Sequence, residues 1–305
     1  MKIPISVSVF FISIITSNAD IEKFADLINQ RNIIAGSHGQ IEYFVSNYMI
    51  SPENVALFKK DLSTFKKYDE IRNKYPQYIS PRKSPSTKDC IVKYSDEGNY
   101  TKEIASASDV DPRYLKAMGY TKGKISYESS HIGSVKSKYD AVRNQISSVS
   151  DTPFQNPPAQ FADIDPSIYD TKPMFAIVKG RSLTYEQEGP YHIIKTRFKN
   201  EGKSSIYYSF GDTALSQLEL NSAHSKFSLV DEEKSKQIVT FYGDYKKFDK
   251  ATLRYPQVII TFTFESNAID KVKVHKVVVK EWKLSKPKMK DFIIEIPADA
   301  KVINR

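Results

Sequence analysis

A single cysteine, Cys90, leaves this 305-residue chain without an internal disulfide. Stability must come from a core instead, which suits a chain of this length. Cys90 leads an expected strand, so burial is the plainer reading of it; a reactive thiol needs an accessible, electropositive setting. Local signatures of chemistry are missing too. The five histidines, His38, His131, His192, His224 and His275, form no HxH or HExxH pattern, and there is no CxxC, so spacing gives no zinc site. No GxSxG, P-loop or GxGxxG occurs. Two acidic pairs stand before prolines, Asp109 and Asp111 before Pro112, and Asp163 and Asp165 before Pro166. Paired carboxylates can bind calcium or move protons, but Asp-Pro forms a turn first, and neither pair has the ligand-rich loop that calcium needs. The expectation is a protein that is not an enzyme and holds no cofactor or metal. Catalytic groups converging from distant strands would escape such a search.

No apolar run is long enough to span a bilayer comfortably, which takes ~20 residues, and mean hydropathy is −0.45. The N-terminus instead has the pattern of a secretory signal peptide. Lys2 is a minimal positive region, Ile3 to Thr16 is mostly apolar, and Ser17-Asn18-Ala19 puts small residues at a cleavage site before Asp20. A periplasmic or otherwise exported protein, cut after Ala19, is expected. Export argues against nucleic acid as the partner of the formal charge of +9 and leaves an anionic membrane surface or envelope proteins. A merely solvated basic surface is the simpler alternative.

Seventeen Phe and nineteen Tyr favour β structure. The clearest stretch is Arg254 to Val302. Val258, Ile260, Phe262 and Phe264 alternate with Ile259, Thr261, Thr263 and Glu265, as in a half-buried antiparallel strand. Val272, Val274, Val278, Trp282 and Leu284 are expected to share one face of the next strand, interrupted by Lys276 and Lys280. A last strand is expected over Phe292, Ile294 and Ile296 before Pro297.

Upstream, Asp20 to Gln30 has the spacing of an amphipathic helix. Ser51-Pro52-Glu53 predicts a helix start, and Val55, Phe58, Leu62, Phe65, Tyr68 and Ile71 continue it to Tyr75. A loop is expected over Tyr75 to Lys88, then a hairpin of Cys90–Tyr94 and Tyr100–Ile104. Residues 105–165 look largely irregular, with short helices near Arg113–Met118 and Lys136–Ile146 and a strand near Lys124. Strand-like runs follow at Met174–Val178, Arg181–Glu186, Tyr191–Phe198, Ser205–Phe210 and Gln237–Tyr242; Ala214–Ser228 is ambiguous between strand and helix. The count is eight to eleven strands, an α+β meander with its helices on one side.

This layout resembles the periplasmic lipoprotein-carrier superfamily, the LolA/LolB-like fold, as a divergent member. The shared features are the signal peptide, the first amphipathic helix, a sheet taken mostly in sequence order, the Asp165-Pro166 segment, and the ending from Phe292 to Val302, with Ala300 where a glycine is usual. The resemblance implies one domain over residues 20–305, with an inserted helix at 52–75 and an irregular insertion at 105–165. It also implies an antiparallel, incompletely closed β-barrel, a half-barrel with helices on its concave side, whose apolar cavity takes up lipid or lipoprotein acyl chains. No residue here matches the arginine that true carriers use for handover. The inner-face candidates for lipid contact are Ile260, Phe262, Phe264, Val274, Val278 and Trp282. The alternative function is an envelope sensor or scaffold of the same fold that binds a protein partner.

Overall fold

The computed structural model describes residues 37–79, 86–106, 113, 124–155, 181–188, 191–198, 203–210, 215–223, 235–247, 254–265 and 270–304. The expected signal peptide, the helix at Asp20–Gln30, the run at Met174–Val178 and both Asp-x-Asp-Pro segments lie outside these residues. So does all of the helix expected near Arg113 except Arg113 itself.

The strands are β1 (Gly39–Ile50), β2 (Ser86–Ser95), β3 (Gly98–Ser106), β4 (Lys124–Ile132), β5 (Val135–Asp140), β6 (Gln145–Val149) and β7 (Arg181–Glu188). There follow β8 (Tyr191–Phe198), β9 (Lys203–Phe210), β10 (Leu215–Ala223), β11 (Ser235–Gly243), β12 (Val258–Glu265), β13 (Val272–Lys283) and β14 (Lys301–Asn304). All fourteen join one sheet in the order β14-β6-β5-β4-β3-β2-β1-β13-β12-β11-β10-β9-β8-β7. Two meanders, β1–β6 and β7–β13, are thus zipped together by the antiparallel pairing of β1 with β13. The sheet is open: its end strands, β14 and β7, do not pair with each other. The fold is α+β with a dominant sheet, and β14 alone among these strands pairs in parallel, with β6.

Three short helices fill the connection from β1 to β2: α1 (Val55–Thr64), α2 (Tyr68–Lys74) and α3 (Pro76–Ile79). The continuous helix expected over 52–75 is therefore broken, and the reason is local. Asn54, not Ser51, caps α1, its Oδ1 accepting from the Leu57 amide at 2.9 Å. The Phe65 amide closes α1 on the Asp61 carbonyl, and the Glu70 carboxylate then collects the amides of Lys66 and Lys67 at 2.6 and 3.1 Å. Those charge-assisted bonds start a new helix where the apolar spacing alone runs on.

Two further expectations are corrected. Lys136–Ile146 is not a helix but β5, a turn and the start of β6, so the segment expected to be irregular carries three strands. Phe292–Ile296 is not a strand. A 3-10 turn, Met289–Phe292, leads into extended chain, and pairing resumes only at β14. This closing segment crosses the sheet as a strap. Phe292 packs over Gly98, its carbonyl accepts from Ser130 Oγ, and Ile294 clusters with Tyr139 and Ile146. The Lys301 amide then bonds the Asn144 carbonyl at 2.8 Å, which docks β14 on the edge.

Candidate apolar site beneath the helices

One face of β1 and β11–β13 carries Tyr48, Ile50, Val239, Phe241, Val258, Ile260, Phe262, Phe264, Val272 and Val274, all buried in one cluster with Phe58, Leu62, Tyr68, Ile71 and Ile79 of the helices. Alternation puts these strand residues on one side; the registers Phe262 opposite Val274 and Val239 opposite Phe262 align them across three strands. The sequence-predicted residues Ile260, Phe262, Phe264 and Val274 come together here, and partly buried Val278 lies farther along the same face, opposite Val258. Their surroundings are this chain's own helices.

Trp282 is elsewhere, and its expected place is corrected. The β1–β13 register runs from Glu42 opposite Glu281 to Tyr43 opposite Val279, so Lys280 is an extra residue. This bulge shifts the alternation by one. Trp282 thereby faces the opposite side with Val279, beside Ile41. There its Nε1 donates to Tyr94 Oη at 3.2 Å and its ring packs 4.6 Å from that of Tyr255. Gly39, the first residue of β1, leaves no room for a side chain here: a Cβ would meet both the Lys283 carbonyl and Tyr94 Oη at 2.7 Å. Cys90 lies on this side as well, opposite Tyr43, and burial pushes its thiol up to about 12. It is a structural thiol, not a nucleophile.

The contact between helices and sheet is aromatic and centred on Phe58. Its ring meets Tyr75, Tyr78 and Phe262 edge-on at 4.8, 5.4 and 5.5 Å, and Phe264 at 6.2 Å. Tyr75 and Tyr78 stack on each other at 5.8 Å. Tyr68 of α2 lies directly over Gly243, where any side chain would collide with its ring. Polar bonds also pin this layer to the sheet, and Arg72 of α2 pairs with Asp244, just beyond β11, at 3.3 Å. Tyr48 Oη donates to the Tyr78 carbonyl at 2.7 Å, Lys276 Nζ to the Ile79 carbonyl at 2.7 Å, and Gln237 Nε2 to Ser63 Oγ at 3.0 Å. The sequence showed Lys276 only as an interruption of the apolar face. It caps the end of α3, and burial lowers its pKa.

Within the layer, Asp61 of α1 accepts from Tyr75 Oη and pairs with Lys74 Nζ at 2.6 Å. The Lys74 and Tyr75 hydrogen bonds hold its carboxyl below the usual carboxylate range. A depressed folded-state pKa stabilises above the unfolded value and is lost as pH falls through the folded one. Acidification is therefore expected to loosen α1 from α2, read as faster hydrogen exchange over residues 55–79. Asp61→Asn should remove that pH dependence while leaving exchange in β11–β13 unchanged.

Among the described residues no group of three His, Cys, Asp or Glu is placed to hold a metal ion. What the site offers is apolar area, with a cation and a few carbonyls at its margin.

No family model matches this chain. No curated protein matches it. Among solved structures, the chain is similar to the crystal structure of an uncharacterized conserved protein from Thermus thermophilus, at 10% identity and a TM-score of 0.33 over 94% of this chain and 99% of that one.

Proposed function

We propose that this protein is a non-catalytic, exported binder of lipid or lipoprotein acyl chains, which it holds against the apolar face of β1 and β11–β13 when α1–α3 move aside. In this reading the open sheet curls as a half-barrel around its helices, as in the lipoprotein carriers it resembles. One observation carries the proposal: the helices form an excursion between β1 and β2, which pair directly with each other, so their departure breaks no strand pairing. Magnitudes allow the exchange. Withdrawing Phe58, Leu62, Tyr68, Ile71 and Ile79 forfeits about 1.5–3 kcal/mol each, or roughly 8–15 kcal/mol together. A sixteen-carbon acyl chain, with its fourteen methylenes, returns ~0.8 kcal/mol for each, or roughly 11 kcal/mol. Near balance of that kind suits loading and release.

The test is a reversible lock. Cysteines at Ser63 and Gln237, whose side chains meet across the layer, are joined by a short, reducible bis-thiosulfonate linker. Uptake of a fluorescent fatty acid should disappear on linking and return on reduction. Native mass spectrometry of the unlinked protein should show co-purifying lipid. Uptake unchanged by the lock, or no lipid and no uptake in the free protein, would sink the proposal. The second reading, a sensor or scaffold binding a protein partner, draws on how fully the protein's own rings occupy the aromatic layer. It gains if the protein carries no lipid but retains a specific envelope protein.

A further inference from the structure

We infer that the ligand held beneath the helices is a free fatty acid, whose carboxylate replaces two main-chain carbonyls as the acceptor for Tyr48 and Lys276. This rests on the acyl-chain reading above and narrows it, because an acyl chain joined to a lipoprotein has no carboxylate to offer.

Two side chains on the apolar face end in donors, and both reach the same short helix. Tyr48 of β1 donates to the Tyr78 carbonyl and Lys276 of β13 to the Ile79 carbonyl, each at 2.7 Å. These are consecutive carbonyls at the C-terminal end of α3, where a helix leaves its acceptors unfilled. Tyr48 lies opposite Val274, two residues before Lys276, so the donors are diagonal neighbours across the β1–β13 seam. Together they hold two neighbouring oxygens. A carboxylate presents two oxygens that only accept, and it adds a negative charge.

The surroundings favour that charge. Lys276 stands between Val274 and Val278 on its own strand and opposite the buried Ile260 of β12. Burial lowers its pKa, as for a cation short of solvent, and raises that of Tyr48, which stays a neutral donor. Among the described residues no carboxylate lies within ion-pair distance of Lys276, whose hydrogen-bond partner is the uncharged Ile79 carbonyl. Asp244 acts on Lys276 through space, but its side chain is 40% exposed and pairs with Arg72. When α1–α3 move aside, Tyr48 and Lys276 both lose their acceptors. An ammonium left unpaired on an apolar wall is costly. A fatty-acid carboxylate restores both bonds, and its chain can then run over Val274, Phe262 and Phe264, which continue the same face. Arg72 departs with α2, so Asp244 becomes the rival partner for Lys276.

Titration of the full chain at neutral pH with a pyrene-labelled hexadecanoic acid and with its methyl ester tests this. Chain and label are the same in both probes. The acid should bind roughly 10- to 150-fold more tightly, as for a hydrogen bond to a charged group. Lys276→Met keeps the apolar stem and removes the charge, and the ratio of the two affinities should fall to near one. Loosening of the helices alone would move both probes together and leave the ratio intact. Tyr48→Phe should narrow the ratio, and Asp244→Asn should widen it. Equal binding of acid and ester by the unaltered protein, or an undiminished ratio in Lys276→Met, would overturn the inference and leave acyl-chain binding standing. If neither probe binds, both fall.

Discussion

Phe58→Ala is expected to free the helical layer without unfolding the sheet. The side chain is 1% exposed and touches rings from both layers, so its loss should cost about 3–5 kcal/mol. That cost falls on a local equilibrium. Helices α1, α2 and α3 have ten, seven and four residues, too short to persist without packing. Hydrogen exchange over residues 55–79 should accelerate roughly 10²- to 4 × 10³-fold, tenfold for each 1.4 kcal/mol. Exchange in β12 and β13 should change little. Fatty-acid uptake, if the acyl-chain proposal holds, should become faster in this variant. Equal loss of protection in helices and sheet would mean one cooperative unit, and the helices could not then act as a cover.

The opposite outcome is expected at Trp282. Trp282→Ala should lower the stability of the whole sheet by about 3–5 kcal/mol, because the indole is almost fully buried. Its strand forms the seam between the two meanders. Trp282→Phe keeps most of the area but leaves Tyr94 without its indole donor; a smaller loss of about 1–3 kcal/mol should follow. Denaturant titrations followed by circular dichroism separate the two variants. Protection in β1, β2 and β13 should fall together in Trp282→Ala, in contrast to the confined response at Phe58. If Trp282→Ala leaves the midpoint unchanged, the bulge does not place this ring in the core.

These contrasting positions show what the sequence makes readable. Alternation over Ile260 to Phe264 identifies both the strand and its buried side, although Ile259 is fully buried on the other side, opposite Val277. In β13 the same rule misplaces Trp282, since one inserted residue, Lys280, reverses the faces and leaves no mark on composition. Apolar spacing finds the residues of α1 and α2 but not the break between them, which depends on Glu70 reaching back to two amides. β5 and β14 bury little: Tyr139 is the one buried residue of β5, and Val302 is 72% exposed. Their pairing comes from neighbouring backbone, not from a hydrophobic pattern. Of the candidate site, the apolar strand residues were legible. The aromatic partners on the helices and the capping role of Lys276 required tertiary contacts.

The zipper of β1 with β13 also sets an order of events during synthesis. Gln40 lies opposite Lys283, so this pairing waits until the chain through Lys283 has left the ribosome. Until then each meander has a bare inner edge able to pair with a stranger, and closing so long a loop is slow. The nascent protein should therefore depend on a holding chaperone up to the moment β13 emerges.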